Sequence, residues 1–463
     1  MRIGIIDNGV DSDYLQSGVK CYTVGKKNCV TEDSLKPAFL HGTFCLHIIN
    51  HFLIESDLYS FRILNDEGNG NVSNIGTVLS WCFENNIRIL NLSLGSTYYA
   101  DKIGFRNLIN HYANKGMIII AASSNDWFTT YPAALSNVIS VACGDEFCVD
   151  ENLQRQKGID FIAPSNHEIK IEGASFRLGK SNSYAAPYVS AMVGNLIDKK
   201  GMMTIDEIRM SLAPEGTLFI YSPDWIEKAW ISPEYRRIDA EFYFNVDKRN
   251  LQECMDDIDT LVLCTHSEME RYGDLDKHVV YLGSDAKRST NNRHHFWNAE
   301  MRQEQIMLSI EKDGIIDVPI ICFVFNRESE IIRVLCKMRK LFADDGYNAF
   351  TGCGRVDSPL YDLEYLPNNI GFKKKKEDFI YWQTKFQQSD LILIGSVSGD
   401  EGVFLETNPD MVIRFNHRND CIGVEICIDG QMSIENEYIS TEKDIVGEVY
   451  HNIISTFEKK EDE

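Results

Sequence analysis

Residues 3–9 read Ile3-Gly4-Ile5-Ile6-Asp7-Asn8-Gly9. An apolar run of strand length ends on an acid and a turn. Comparable bounded apolar runs recur at 59–64, 87–94 and 116–122, separated by helix-length segments at 72–86 and 101–115. Alternating strands and helices predict an α/β fold, a parallel sheet with helices on both faces. In such sheets the functional groups gather at the carboxyl ends of the strands, and Asp7 stands at such an end.

Two later segments supply what an acid at that place needs. His41-Gly42-Thr43 offers an imidazole, and Ser181-Asn182-Ser183-Tyr184-Ala185-Ala186-Pro187 offers a hydroxyl at the start of a helix. A serine hydroxyl is a weak nucleophile until a histidine takes its proton. The histidine must be held in one tautomer, and its charge stabilised, by a carboxylate. A fourth segment, Gly116-Met117-Ile118-Ile119-Ile120-Ala121-Ala122-Ser123-Ser124-Asn125-Asp126, reads as a buried strand followed by an amide. Asn125 can donate an N–H to a developing oxyanion, a contact whose removal costs on the order of 10²–10³ in turnover.

The order acid, imidazole, hydroxyl and the flanking segments make residues 1 to about 213 resemble the subtilisin-like serine proteases, or subtilases. Tyr59 to Gly70 is similar to the strand and Gly-rich edge on which that family pairs an extended substrate, here Gly68, Asn69 and Gly70. Residues 87–96 are similar to its central strand, whose Ser93-Leu94-Gly95 backbone lines the primary specificity pocket. Tyr131-Pro132-Ala133 and Phe161-Ile162-Ala163-Pro164 also fall at matching places. The resemblance implies Ser183 as nucleophile, His41 as general base, Asp7 as orienting acid and Asn125 as oxyanion donor. It places Asp126 at the pocket rim and Thr130 near the pocket base, so a carboxylate there implies a preference for Lys or Arg before the cut.

Departures from the family pattern are informative. Ser181-Asn182 stands where Gly-Thr is usual, and Ser124 where Gly is usual. The step from His41 to Tyr59 is short, and the missing piece corresponds to a calcium-binding loop of many members. No metal or cofactor is expected; Asp11, Asp13, Asp66 and Glu67 read as solvated turn acids. Cys45, one turn after His41, is a less favoured nucleophile than Ser183, which has its full context.

The net charge is −23 over 463 residues, which argues against nucleic-acid binding and favours basic or neutral peptides. Lys373 to Lys376 reads as a solvated loop, since Glu377 and Asp378 follow at once. No run of about 18 apolar residues predicts a membrane span. The 13 cysteines are odd in number, none is in a Cys-x-x-Cys spacing, and several (Cys264, Cys322, Cys427) lie in apolar runs. They read as reduced core thiols. With the Asp7 strand starting at residue 3, neither a secretory signal nor a propeptide is expected before it. The expected location is cytoplasmic.

The length suits two or three domains. We expect a peptidase domain over 1–216, a small α/β domain over 217–310 and a further α/β domain over 311–463, Rossmann-like or P-loop-like in layout. Strands are expected at 218–221, 260–264, 279–282, 319–325, 391–394, 411–415 and 421–428, with helices at 328–342 and 441–457, the last capped by Thr441. The loop after 319–325, Asn326-Arg327-Glu328-Ser329-Glu330, lacks the Gly and Lys residues that cradle phosphate. His294-His295 has no neighbouring ligand at metal spacing and reads as a surface loop. Roughly the last 140 residues resemble the C-terminal region of clostridial peptide-maturation proteins. That resemblance implies a surface for a precursor peptide or a maturation enzyme. The expected activity is restricted endoproteolysis of a peptide or protein substrate, with leader removal from a ribosomally made precursor as its sharpest form. General intracellular peptide turnover, and a scaffold with a vestigial protease domain, are the alternatives.

Overall fold

The computed structural model describes the whole chain except residues 15–17, 26–27, 54–55, 172, 285–293, 309–313, 368–372, 400–407, 419–420, 440–443 and 462–463. Thr441 lies outside the described residues. The first sheet is built from β1 (Arg2–Asp7), β2 (Lys20–Val24), β3 (Val30–Glu32), β4 (Asp57–Arg62), β5 (Ile89–Leu92), β6 (Ile118–Ala122), β7 (Ile139–Gly144) and β8 (Phe161–Pro164). Their order is β3-β2-β4-β1-β5-β6-β7-β8, and every pairing except β2 with β3 is parallel. Ile3, Ile5 and Ile6 are fully buried, as are Ile89, Leu90 and Leu92 on the neighbouring strand. Both sheet faces are covered, which is why these strands are continuous apolar runs rather than alternating ones.

The helices of this half are α1 (His41–Phe52), α2 (Val72–Glu84), α3 (Asp101–Ala113), α4 (Glu151–Lys157), α5 (Asn182–Lys200) and α6 (Ile205–Leu212), with a hairpin of β9 (Glu168–Ile171) and β10 (Ala174–Arg177) before α5. α5 is central. It packs on α1 and on the sheet from β5 to β8. Its Ala185, Ala186, Val189, Ala191 and Val193 are wholly buried in one cluster with Ile3, Ile5 and Ile120. Each large aliphatic side chain so buried contributes about 1.5–3 kcal/mol.

The second sheet holds β11 (Lys228–Ile231), β12 (Asn245–Asp247), β13 (Thr260–Leu263), β14 (His278–Tyr281) and β15 (Phe296–Asn298), all parallel, in the order β12-β11-β13-β14-β15, with α7 (Leu251–Cys254), α8 (His266–Tyr272) and α9 (Ala299–Leu308). The third holds β16 (Ile320–Phe325), β17 (Ala349–Cys353), β18 (Glu364–Tyr365), β19 (Leu391–Val397), β20 (Met411–Arg418), β21 (Cys421–Ile428) and β22 (Gln431–Ile439). Its order is β18-β17-β19-β16-β20-β21-β22, parallel from β18 to β20 and an antiparallel meander beyond. α10 (Ile331–Asp344), α11 (Lys373–Phe386) and α12 (Ile445–Glu461) complete it.

Two expectations change. Residues 218–221 are not a strand but part of an extended strap. Phe219 and Tyr221 of that strap pack into the first half's core, and the Tyr221 hydroxyl bonds to buried Asp160, which also pairs with Arg209 at 3.0 Å. The strap continues to Asp224, whose carboxylate accepts from the Ser136 N–H at 3.1 Å, while Asn110 Nδ2 donates to the Asp224 carbonyl at 2.7 Å. Lys373 to Lys376 opens α11 rather than forming a solvated loop, and Lys376 is buried, which pushes its ammonium down to about 8. Neither departure leaves a signal in local composition, because both depend on what packs across the chain.

Candidate active site

Asp7 ends β1 and is 1% exposed. The turn after it is stitched to the first residues of α1. The Asn8 side chain accepts the Gly42 N–H at 3.0 Å and donates to the Phe39 carbonyl at 2.9 Å; Thr43 Oγ1 accepts the Asp11 N–H at 2.9 Å. The Gly42 N–H is one of the donors that a helix start leaves without internal partners. A Cβ on Gly42 would lie 2.4 Å from the Gly9 carbonyl oxygen, so only glycine allows this approach. His41 is thereby placed with Nδ1 at 2.9 and 3.0 Å from the two Asp7 carboxylate oxygens. A second acceptor-side contact, Asn8 N–H to Asp7 Oδ1 at 2.7 Å, fixes the carboxylate. Burial lowers the pKa of His41, but the hydrogen bond and charge of Asp7 outweigh it, and the net shift is upward.

Ser183 lies in the first turn of α5, whose N-cap is Ser181. The Asn182 side chain, 2% exposed, is the anchor of this turn. Its Oδ1 accepts the Cys143 N–H at 2.7 Å, and its Nδ2 donates to the Ser123 and Ser124 carbonyls at 3.1 and 2.8 Å. From below, Ser93 Oγ donates to the Ser183 carbonyl at 2.8 Å and accepts from Asn91 Nδ2 at 3.0 Å. Ser183 Oγ donates to the Ser93 carbonyl at 3.4 Å. Among the described residues that is its hydrogen bond, and the hydroxyl makes none to His41. Such bonds commonly close only with substrate. The His41 and Tyr184 rings are 5.3 Å apart.

Asn125 is exposed at the end of β6. Its Oδ1 accepts the Asn182 N–H at 2.8 Å. Because the donor is a backbone N–H, the amide orientation is determined, and Nδ2 is the group left to donate outward. The site therefore offers an imidazole paired with a carboxylate, a hydroxyl at a helix start and an outward amide donor.

The residues expected to meet substrate fall on two edges. Gly68, Asn69 and Gly70 are exposed on a turn that Asn65 closes by accepting the Glu67 and Asn69 N–H groups at 3.1 and 2.8 Å. Ser93, Leu94 and Gly95 follow β5. A Cβ on Gly95 would lie 2.4 Å from Thr130 Cγ2, so the 93–95 and 124–130 segments touch. Asp126 is exposed, with its N–H on Ser124 Oγ at 3.1 Å; Thr130 is buried and donates to the Phe128 carbonyl.

Cys45 is wholly buried, and burial pushes its thiol well up, which leaves it unreactive beneath His41. Asp7, His41 and Cys45 are, among the described residues, the cluster close enough to hold a metal ion. The thiol of that cluster already contacts Ser93 Oγ and the Ser183 carbonyl, both at 3.5 Å. Asp11 and Asp13 both pair with Lys36. His295, expected on a surface loop, is 4% exposed and bridges Asp206 at 3.0 Å and Asn137 Oδ1 at 2.9 Å. Sequence reading missed Asn182 and Asn91. A polar residue inside an apolar helix start or strand is the signal that points to them.

A parallel α/β sheet carrying these groups at its carboxyl edge is a subtilisin-like architecture. Residues 2–214 match the Subtilase family profile, and this segment is a subtilase segment. The M-protease of Shouchella clausii (strain KSM-K16) is 27% identical over 166 residues, 35% of this chain and 43% of that protein. Subtilisin Savinase of Lederbergia lenta is 27% identical over 166 residues, 35% of this chain and 61% of its own length. Thermitase of Thermoactinomyces vulgaris is 27% identical over 210 residues, 42% of this chain and 74% of its own. Among solved structures, S41 Psychrophilic Protease has a TM-score of 0.38 at 22% identity, covering 46% of this chain and 81% of that one. Sphericase has 0.38 at 21%, covering 45% and 81%. The chain thus spans about half the length of the first curated relatives it matches.

Proposed function

We propose that the chain is a serine endopeptidase carrying out restricted proteolysis of a peptide or protein substrate. The observation that carries this reading is the Asp7–His41 pair at 2.9 Å, set beside the helix start that bears Ser183. In this reading Ser183 Oγ attacks the scissile carbonyl and His41 Nε2 takes the hydroxyl proton. Asp7 holds the ring in the Nδ1–H tautomer and stabilises the imidazolium. Asn125 Nδ2 donates to the oxyanion. His41 then gives its proton to the leaving amine, and water hydrolyses the acyl-enzyme.

The finer reading is cytoplasmic removal of a leader from a ribosomally made precursor, with the C-terminal half binding the precursor or a maturation enzyme. The acidic net charge supports basic or neutral partners. All 13 cysteines are free, which supports a reducing compartment. Among the described residues no helix is long and apolar enough to cross a membrane.

The test is digestion of a proteome-derived peptide mixture, read by mass spectrometry, alongside labelling by a serine-reactive phosphonate. Ser183→Ala should abolish labelling and lower turnover by on the order of 10⁶. Cuts at a narrow motif support processing, broad cuts support peptide turnover, and an unlabelled wild type sinks the enzyme reading in favour of a scaffold.

A further inference from the structure

We propose that the C-terminal half positions the specificity loop of the subtilase segment, through a clamp formed by Lys157, Trp127 and Phe386. Its kinetic part rests on the protease reading above; its structural part does not.

The loop in question runs from Ser123 to Thr130. It carries Asn125 at one end, and at the other Thr130 abuts Gly95. It has no strand ladder of its own. Trp127 has φ 66°, a left-handed conformation that a bulky aromatic residue adopts only when its surroundings impose it. Within the loop, Asp126 N–H and Trp127 N–H both turn back onto Ser124. Asn182 bonds to Ser123, Ser124 and Asn125 at one end of the loop; a further restraint, on the other end, comes from outside the family-matched segment. The Thr129 N–H donates to the carbonyl of Phe386, the last residue of α11, at 2.7 Å. That carbonyl belongs to a helix end, where acceptors lack intrahelical partners. The Lys157 ammonium, at the end of α4, lies 4.0 Å from the Phe386 ring centroid and 4.5 Å from that of Trp127. One cation thus joins the loop's strained residue to the helix whose end accepts the Thr129 N–H.

Both contacts pull the loop toward α11. An ammonium over an aromatic face changes a local opening equilibrium by roughly two- to thirty-fold. Lys157 is a positioning residue in this scheme: it touches the loop, not the reacting atoms. Burial pushes its pKa down to about 8, so the clamp weakens as pH rises through that value. The charged groups lining the cavity that Lys157 and Thr129 border are engaged: Lys102 pairs with Asp362, Arg302 with Glu364, and Asp224 with Ser136. Burial pushes the phenols of Tyr131 and Tyr221 well above their usual range, so neither titrates near pH 8.

The test uses the full chain and the variants Lys157→Met and Lys157→Arg. Hydrogen exchange of the peptide covering 124–131 reads the clamp directly, with no need for activity. Lys157→Met should speed that exchange several-fold; Lys157→Arg should leave it as in wild type. With peptide substrates that differ only before the cut, Lys157→Met should raise KM several-fold with little change in kcat. Wild-type KM should rise above pH 8, while that of Lys157→Arg stays flat. Unchanged exchange in Lys157→Met overturns the clamp whatever the protein hydrolyses. Faster exchange in Lys157→Met, with a wild type that no phosphonate labels, overturns the protease reading and leaves the clamp standing. Faster exchange with unaltered KM in an active enzyme overturns the role in specificity. Should Lys157→Met fail to fold, Phe386→Leu removes the ring and keeps the carbonyl for the same measurements.

Discussion

Single residues carry the proposed chemistry. Asp7, His41, Ser183 and Asn125 are recognisable because each sits in a short motif dictated by local geometry. Their support is not: Ser93 and Asn91 reach α5, and Asn182 reaches the 123–124 segment, only after distant segments fold together. In the proposed mechanism His41 acts as a base only when neutral; burial lowers its pKa, but the hydrogen bond it donates to Asp7 and the charge of Asp7 raise it above 6.5. Activity should therefore fall as pH drops through a value above 6.5. Asp7→Asn should lower kcat by on the order of 10⁴ and move that acid limb downward; a pH–rate profile on both proteins checks this. At the rim, Asp126→Asn should cut the preference for Lys over Leu before the scissile bond several-fold. An unchanged ratio of the two kcat/KM values removes Asp126 from the specificity account.

At the level of elements, β1, β4, β5 and β6 of the first sheet and helices α2 and α3 follow from apolar runs and their punctuation. So do β13, β16 and β21 in the second half. Short strands such as β12, β15 and β18 escaped, because two or three residues carry no period. The strap at 217–226 resembled a strand by composition, yet lies against the first half without a ladder partner. One tight element contact is the start of α1 on the turn after β1. Gly42→Ala would press a methyl group onto the Gly9 carbonyl and displace His41 from Asp7. A shift of about 1 Å at reacting groups costs on the order of 10²-fold. We expect that loss in kcat with the fold retained, as circular dichroism and activity on the same sample will tell.

Across the whole molecule, buried ion pairs join the sheets. Asp206 meets His295, and Asp362 meets Lys102 and Arg106 at 2.9 and 2.7 Å. Burial alone would raise both carboxylates, but these partners hold both well below the usual carboxylate range. A depressed pKa stabilises the folded state above the unfolded value, near 3.9 for Asp, and that stabilisation is lost as pH falls below it. Asp362→Asn leaves Lys102 and Arg106 uncompensated and should cost about 3–5 kcal/mol at neutral pH. Urea midpoints measured from pH 7 down to pH 2 should converge for the two proteins in acid; parallel curves would show that Asp362 does not carry the acid sensitivity.

The bond between Thr129 and Phe386 also has a direction in time. Translation releases the amino-terminal sheet first, and domains fold in the order in which they are made. The subtilase segment is thus complete on the ribosome long before α11 exists to receive the Thr129 N–H. A newborn chain has its pocket loop unbraced for as long as the second half is still being synthesised, and the last helices to emerge finish a surface that the first strands began.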